Sequence, residues 1–253
     1  MIGKEKLKYL SSLKLKKKRK SESKFIVEGV RSVLEGLKSD YICEEIFIAE
    51  KQDSFLEIID LAKVKNVKIT EVTQTHLKKI TDTVHPQKIA ALFRITETNI
   101  QLSNIILALE NISDPGNLGT IIRTADWLGV KNILLSKESV DIFNPKVLRS
   151  TMGSIFHINF KYVENFQDQL LKIKEEGYEI FLADLNGTNI SEYKKPINKS
   201  VLILSNEAFG PTEKTKEIAD VKLTIPKLGQ AESLNVSIAG GILMWELRKR
   251  LHI

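Results

Sequence analysis

From Phe25 onward, short apolar runs alternate with longer stretches in which apolar residues recur every three or four positions. The runs FIVEG (25–29), EEIFIAE, VKITEV and KIAALFRI predict strands. RSVLEGLK, DSFLEIIDLAKVK and THLKKIT carry helical spacing, with Leu56, Ile59 and Leu61 among the apolar positions of the second. Strands alternating with helices predict a small α/β unit that ends near Ile95. The polar segment 96–104, TETNIQLSN, then reads as a linker.

A second alternating series begins at NIILALENI, an unbroken apolar run of the kind buried on both faces of a parallel sheet. A helix over 118–128 should stop at Gly129, and another over 167–176 at Gly177, where glycine suits a helix C-terminus. NILLS, HINFKYV, YEIFLAD, VLILSN and VKLTIP predict further strands, and a helix is expected over 145–151. The last helix, 234–251, is apolar nearly all round (Val236, Ile238, Ala239, Ile242, Leu243, Trp245, Leu247), so it should be buried in its own core or against a partner subunit. The predicted division is 1–97 and 98–253, without internal repeats.

Composition narrows the function classes. The chain is 42% hydrophobic and 28% charged, an ordinary globular balance, and its net charge of +6 suits a polyanionic partner without singling one out. Much of the excess lies in KLKYLSSLKLKKKRKSESK near the N-terminus, which reads either as a solvated terminus or as a phosphate-binding arm. Cys43 is the only cysteine, which excludes an internal disulfide framework and a multi-cysteine metal site. The four histidines are scattered with no i,i+4 pair, so no metal is expected. With no long apolar run and no signal-peptide core in MIGKEKLKYL, a cytoplasmic protein without membrane contact is expected.

The usual nucleotide fingerprints are missing: there is no G-x-G-x-x-G after a strand, no P-loop and no serine nucleophile elbow. Candidate chemistry instead sits in three polar loops after apolar strands, where open α/β sheets bind ligands. In the first, Asp114-Pro115-Gly116-Asn117 is a turn signal that places Asn117 at or next to a helix start, with Arg123 inside that helix. In the second, VLILSNEAFGP, a strand delivers Ser205, Asn206 and Glu207 to its end before Gly210 and Pro211 turn the chain. A carboxylate directly after a buried strand needs a partner or a role. In the third, the chain leaves Ile225-Pro226 and reaches Ser233, a plausible helix cap, with Leu234 and Asn235 opening the last helix.

Together these loops resemble the SpoU family of RNA 2′-O-ribose methyltransferases, of the SPOUT class. The resemblance is carried by N-x-G-x-x-x-R in NLGTIIR, N-E-x-x-G in SNEAFGP and I-P…S-L-N in IPKLGQAESLN, in that order. VLRSTMGSIF is similar to the family's stretch between the first two motifs, and residues 1–95 resemble its accessory substrate-binding domain.

The resemblance implies an α/β fold whose C-terminal, mostly parallel sheet has helices on both faces and a deep trefoil knot, beside a small N-terminal α/β domain. It implies S-adenosylmethionine as methyl donor, S-adenosylhomocysteine as product, no metal, a homodimer through the knotted domain, and an RNA partner. Ribosomal RNA is expected from the appended domain, with transfer RNA or a non-catalytic role in RNA binding or ribosome assembly as the alternatives. By the same resemblance Arg123, Asn117, Glu207 and Asn235 are the catalytic group, and Ser205, Asn206, Gly210, Ile225 and Leu234 bind the cofactor. The family usually has glycine at the position of Ser205 and often at Ala208, and methionine is common at that of Lys227.

Overall fold

The computed structural model describes residues 2–81, 83–96, 98, 100 and 103–251. They fall into two compact units, Met1–Glu97 with Asp141–His157, and Thr98–Val140 with Ile158–Ile253. The linear division expected from the sequence does not provide for the excursion of Asp141–His157 into the first unit. Of the expected linker, Glu97, Asn99, Gln101 and Leu102 lie outside the described residues, while Thr98 exchanges hydrogen bonds with the Phe160 backbone within the second unit.

The first unit opens with helices α1 (Lys4–Ser12) and α2 (Lys16–Glu22), followed by β1 (Lys24–Glu28), α3 (Val30–Lys38), β2 (Cys43–Ile48), α4 (Leu56–Val64), β3 (Lys68–Glu71), α5 (Gln74–Thr81) and β4 (Ile89–Arg94). The sheet order is β1-β4-β2-β3, with β4 antiparallel to both neighbours and β3 parallel to β2. Leu10 and Leu13 pack with Phe47, Leu77, Ile80 and Ala90 in one core cluster. A second cluster is aromatic: Phe25 and Phe93 meet Phe143 and Phe156 of the excursion at ring-centroid distances of 4.4 and 5.0 Å.

The basic N-terminal stretch is therefore not a frayed arm. Arg19 is 3% exposed; it pairs with Asp141 at 2.5 Å and donates to the carbonyls of Leu13 and Lys14. The guanidinium thus closes the turn between α1 and α2, leaving Lys16, Lys17, Lys18 and Lys20 exposed.

The second unit is a six-stranded sheet in the order β10-β8-β9-β5-β6-β7, parallel throughout. Its elements are β5 (Ile105–Glu110), α6 (Pro115–Trp127), β6 (Asn132–Ser136), β7 (Asn159–Val163), α8 (Phe166–Glu175), β8 (Glu179–Asn189), β9 (Ser200–Ser205), α9 (Glu213–Ile218), β10 (Val221–Thr224) and α10 (Val236–Arg250); α7 (Pro145–Thr151) belongs to the excursion. Every residue of β5, β6 and β9 is buried, as their unbroken apolar runs require. Leu170 and Ile173 of α8 cover Ile106, Ile180 and Ile203 on one face. Gly240 lies so close to Leu204 that a Cβ there would stand 2.5 Å from a leucine methyl, so α10 seats tightly on β9.

Helix α9 has no counterpart in the expected elements, and β8 runs five residues beyond the expected YEIFLAD. Among the described residues no helix is long and apolar enough to cross a membrane.

Replacing Arg19 with methionine would strand the Asp141 carboxylate beside an apolar side chain. The expected loss is about 3 kcal/mol or more of unfolding free energy, measured by urea denaturation against the parent chain. A loss within experimental error would remove this ion pair from the forces that hold α1 and α2.

Candidate active site

The three loops chosen from the sequence meet at the carboxyl ends of β5, β9 and β10, beside the β9/β5 neighbours where the strand order reverses. The first begins at α6. Its N-cap is Asp114, whose side chain accepts from the Asn117 amide at 2.8 Å, and Pro115 takes the first helical position. Asn117 thus lies next to the helix start, as expected, in the first turn, and its amide group is released for contacts outside the helix. In the third loop the expected cap is corrected. Asn235, not Ser233, caps α10, accepting from the Ser237 backbone at 3.0 Å and its hydroxyl at 2.6 Å.

Glu207 joins these two helix starts. Its Oε1 accepts from Asn117 Nδ2 at 3.0 Å, Asn235 Nδ2 at 3.0 Å and the Val236 amide at 2.9 Å; Oε2 accepts from Asn117 Nδ2 at 3.2 Å. Asn235 Nδ2 also donates to Asn117 Oδ1 at 2.9 Å. Each amide orientation is dictated by its partners: Asn235 Oδ1 faces the Ser237 donors, so its Nδ2 must face the carboxylate. Val236 is the first residue of α10, and its N–H has no acceptor inside the helix. The carboxylate supplies one, at the positive end of the helix dipole.

The second loop is also tied to the first. Asn206 Nδ2 donates to the Asn111 carbonyl at 3.1 Å and to Ser113 Oγ at 3.2 Å, while its Oδ1 accepts from the amides of Ala208 at 2.8 Å and Phe209 at 3.3 Å. Gly210 then takes φ +65°, a left-handed conformation that favours glycine.

A cleft of about 640 Å³ opens between the second and third loops and the end of β8. Ser205, Asn206, Gly210, Ile225 and Leu234, the five residues expected to bind a cofactor, all line it. Leu204, Val236 and Leu243 give it an apolar floor, and Asp184, Glu207 and Glu232 place carboxylates on its walls. Lys216, also on the wall, donates to Glu213 at 2.7 Å, a hydrogen bond that raises its pKa above the ordinary lysine value. Among the described residues no cluster of His, Cys, Asp and Glu could hold a metal ion.

Of the expected catalytic four, Arg123 alone stands outside the hydrogen-bonded group. It is exposed on α6, does not line the cleft, and makes no hydrogen bond or ion pair among the described residues. Glu110 was not singled out from the sequence. It is buried at the end of β5 and accepts from Thr212, Thr215 and Gln167. The signal was present, since Glu110, like Glu207, stands at the end of an apolar run.

A parallel sheet that brings three polar loops together, two of them walling one ligand-sized cleft, in a chain with a separate basic α/β unit, defines a ligand-dependent enzyme with an appended substrate-binding module. The chain belongs to the SpoU rRNA Methylase family, whose model matches residues 104–245. Residues 4–91 match the MRM3-like substrate binding domain. The 23S rRNA (guanosine(2553)-2′-O)-methyltransferase RlmP of Bacillus subtilis is 35% identical over 248 residues, covering 96% of each chain. A putative RNA methyltransferase of the TrmH family from Porphyromonas gingivalis superposes with a TM-score of 0.88 at 30% identity over 99% of both chains. The AdoMet-bound rRNA methyltransferase of Sinorhizobium meliloti superposes at 0.87, with 26% identity over 100% of this chain and 97% of that one.

If Glu207 is the acceptor for the first amide of α10, Glu207→Ala leaves that N–H to solvent. Hydrogen exchange at Val236 should then quicken by about tenfold or more, with the amides of β5 and β9 unchanged. Unaltered exchange at Val236 would mean that another group holds the helix start.

Proposed function

We propose that the chain transfers a methyl group from S-adenosylmethionine to a ribose 2′-hydroxyl in ribosomal RNA, in the cytoplasm, and releases S-adenosylhomocysteine. The observation that carries this reading is the hydrogen-bonded trio Asn117, Glu207 and Asn235 beside the cleft. Support for ribosomal RNA comes from the similarity to RlmP, which spans both units of the chain.

The cleft fits the cofactor in size, since ligand pockets run from about 300 to about 1,000 Å³, and in chemistry, with an apolar floor and carboxylates facing a cationic ligand. When bound, S-adenosylmethionine supplies an electrophilic methyl group on a positively charged sulfur. In this reading Ser205, Ile225 and Leu234 offer backbone groups to it, and Asn206 and Gly210 hold the loop in shape around it. The departure at Ser205 adds a small hydroxyl to that wall, where the family usually has glycine.

The ribose hydroxyl is neutral at pH 7 and must lose its proton, which passes to solvent water, as it attacks. A guanidinium keeps its own proton at that pH. Arg123 therefore acts by clamping the adjoining phosphate through its planar fork and by stabilising charge that develops on the 2′-oxygen. Its exposure, with no partner among the described residues, leaves it available to RNA. Asn117, Glu207 and Asn235 keep the loops in register while substrate is held. The exposed lysines of α2 supply phosphate contacts in the first unit.

The proposal includes a homodimer, and with it the trefoil knot implied by the family. Trp127 is 88% exposed and Trp245 52%, and Ile238 and Ile242 add to the uncovered apolar surface of α10. Such a patch marks a protein interface. Sedimentation equilibrium is expected to show a dimer that Trp245→Glu dissociates; a monomeric parent would refute this part.

Isothermal titration with S-adenosylmethionine tests the core. The parent and Arg123→Ala should bind one cofactor per chain with equal affinity, while Arg123→Ala loses turnover by about 100-fold or more. Arg123→Lys should lose nearly as much, because an ammonium lacks the bidentate fork. Near-full turnover by Arg123→Lys would overturn the guanidinium-specific role. Absence of cofactor binding by the folded parent would overturn the enzyme reading and favour a non-catalytic RNA-binding protein.

A further inference from the structure

We infer that Glu110 is the positioning residue of the cofactor cleft: its buried carboxylate anchors the far end of the loop Asn206–Pro211 and thereby sets affinity for the cofactor. The inference rests on the proposed reading of that cleft. Glu110 ends β5 and is the parallel register partner of Ser205, the last residue of β9. The loop leaves the sheet at Ser205 and ends at Thr212, the N-cap of α9, so both of its ends lie against the same residue.

The return is held directly. Oε2 of Glu110 accepts from the Thr212 amide at 3.2 Å, and Oε1 accepts from the hydroxyls of Thr212 and Thr215, each at 2.8 Å, and from Gln167 Nε2 at 3.1 Å. Glu110 is 1% exposed, and its recorded partners are neutral donors rather than a cation. A buried carboxylate is tolerated only where such donors replace water, so the four groups and the carboxylate specify one arrangement. Gln167 brings in α8 and Thr215 brings in α9, which makes the anchor part of the scaffold rather than of the loop.

The opposite end of the loop is closed by Asn206 on Asn111, which follows Glu110 directly, and on Ser113, two residues further on. With both ends fixed, Ser205, Asn206 and Gly210 present one wall to the cleft without an ordering cost on binding. Loosening the return allows the loop to sample other conformations, and the apparent affinity falls by the fraction still competent. Glu110 does not line the cleft. It acts through the loop, and its loss should raise KM for the cofactor while leaving kcat at saturating cofactor near the parent value.

The test uses the full chain with S-adenosylmethionine as titrant. Glu110→Gln keeps size and one acceptor oxygen; Thr215→Val removes a single donor at nearly constant volume and guards against a misfolded glutamine variant. Foldedness is read by near-ultraviolet dichroism and thermal unfolding. The expected result is cofactor binding weakened by about tenfold in Glu110→Gln and less in Thr215→Val, with RNA affinity within about twofold of the parent and kcat retained. Parent-like cofactor affinity in both folded variants would overturn the inference and leave the cofactor reading intact. A parent chain that binds no cofactor would overturn that reading, and the positioning role with it.

Discussion

The carboxylate of Glu207 is the constraint on which the site depends. Three segments far apart in sequence arrive at the end of one sheet, and nothing in the strands themselves aligns their loops. Glu207 does so by accepting from Asn117 on α6 and from Asn235 and Val236 at the start of α10. Each of those donors is set by its own helix: Asp114 caps α6 and leaves the Asn117 side chain free, and Asn235 caps α10 with its oxygen and turns its nitrogen outward. A single acceptor thus converts two helix starts and a strand end into one rigid polar surface.

The sheet makes this geometry stable by burying what lies beneath it. β5 and β9 are adjacent, parallel and wholly buried, so the positions of Glu110 and Ser205 at their ends follow from backbone pairing. Polar groups just past those ends would be costly without partners. The structure answers with a chain of side-chain contacts from Ser136 and Ser139 through Asn111 to Asn206. The apolar floor formed by Leu204 and Leu243 and the polar rim above it follow from this division between buried strand and satisfied loop.

Much of this was legible in the sequence where local signals agreed with the fold. The unbroken apolar run before Glu110 marked a central parallel strand, and α7 occupies the expected 145–151. The three loops were found because each follows such a strand. What escaped depended on distant partners. Arg19 looks like one cation among many until Asp141, 122 residues away, removes it from solvent. The excursion Asp141–His157 joins the first unit because Phe143 and Phe156 complete its aromatic core, which no local period reveals. Ser233 suits a cap by residue type alone; Asn235 takes that place because its side chain reaches the Ser237 amide, while Asn117 stands next to the start of α6, as expected, behind the cap Asp114. Helix α9 is six residues long and polar, too short to show a period. Arg123 is marked by the family resemblance alone, since it stands exposed on α6 with no hydrogen bond or ion pair among the described residues.

The most direct test of the central claim is to incubate the purified chain with ribosomal RNA and S-adenosylmethionine labelled in its methyl group, digest the RNA to nucleosides and identify the labelled product. The account predicts label in one 2′-O-methylated nucleoside, on ribosomal RNA in preference to transfer RNA, and none with Arg123→Ala. Label on a base, or no transfer by a chain that binds both cofactor and RNA, would contradict it.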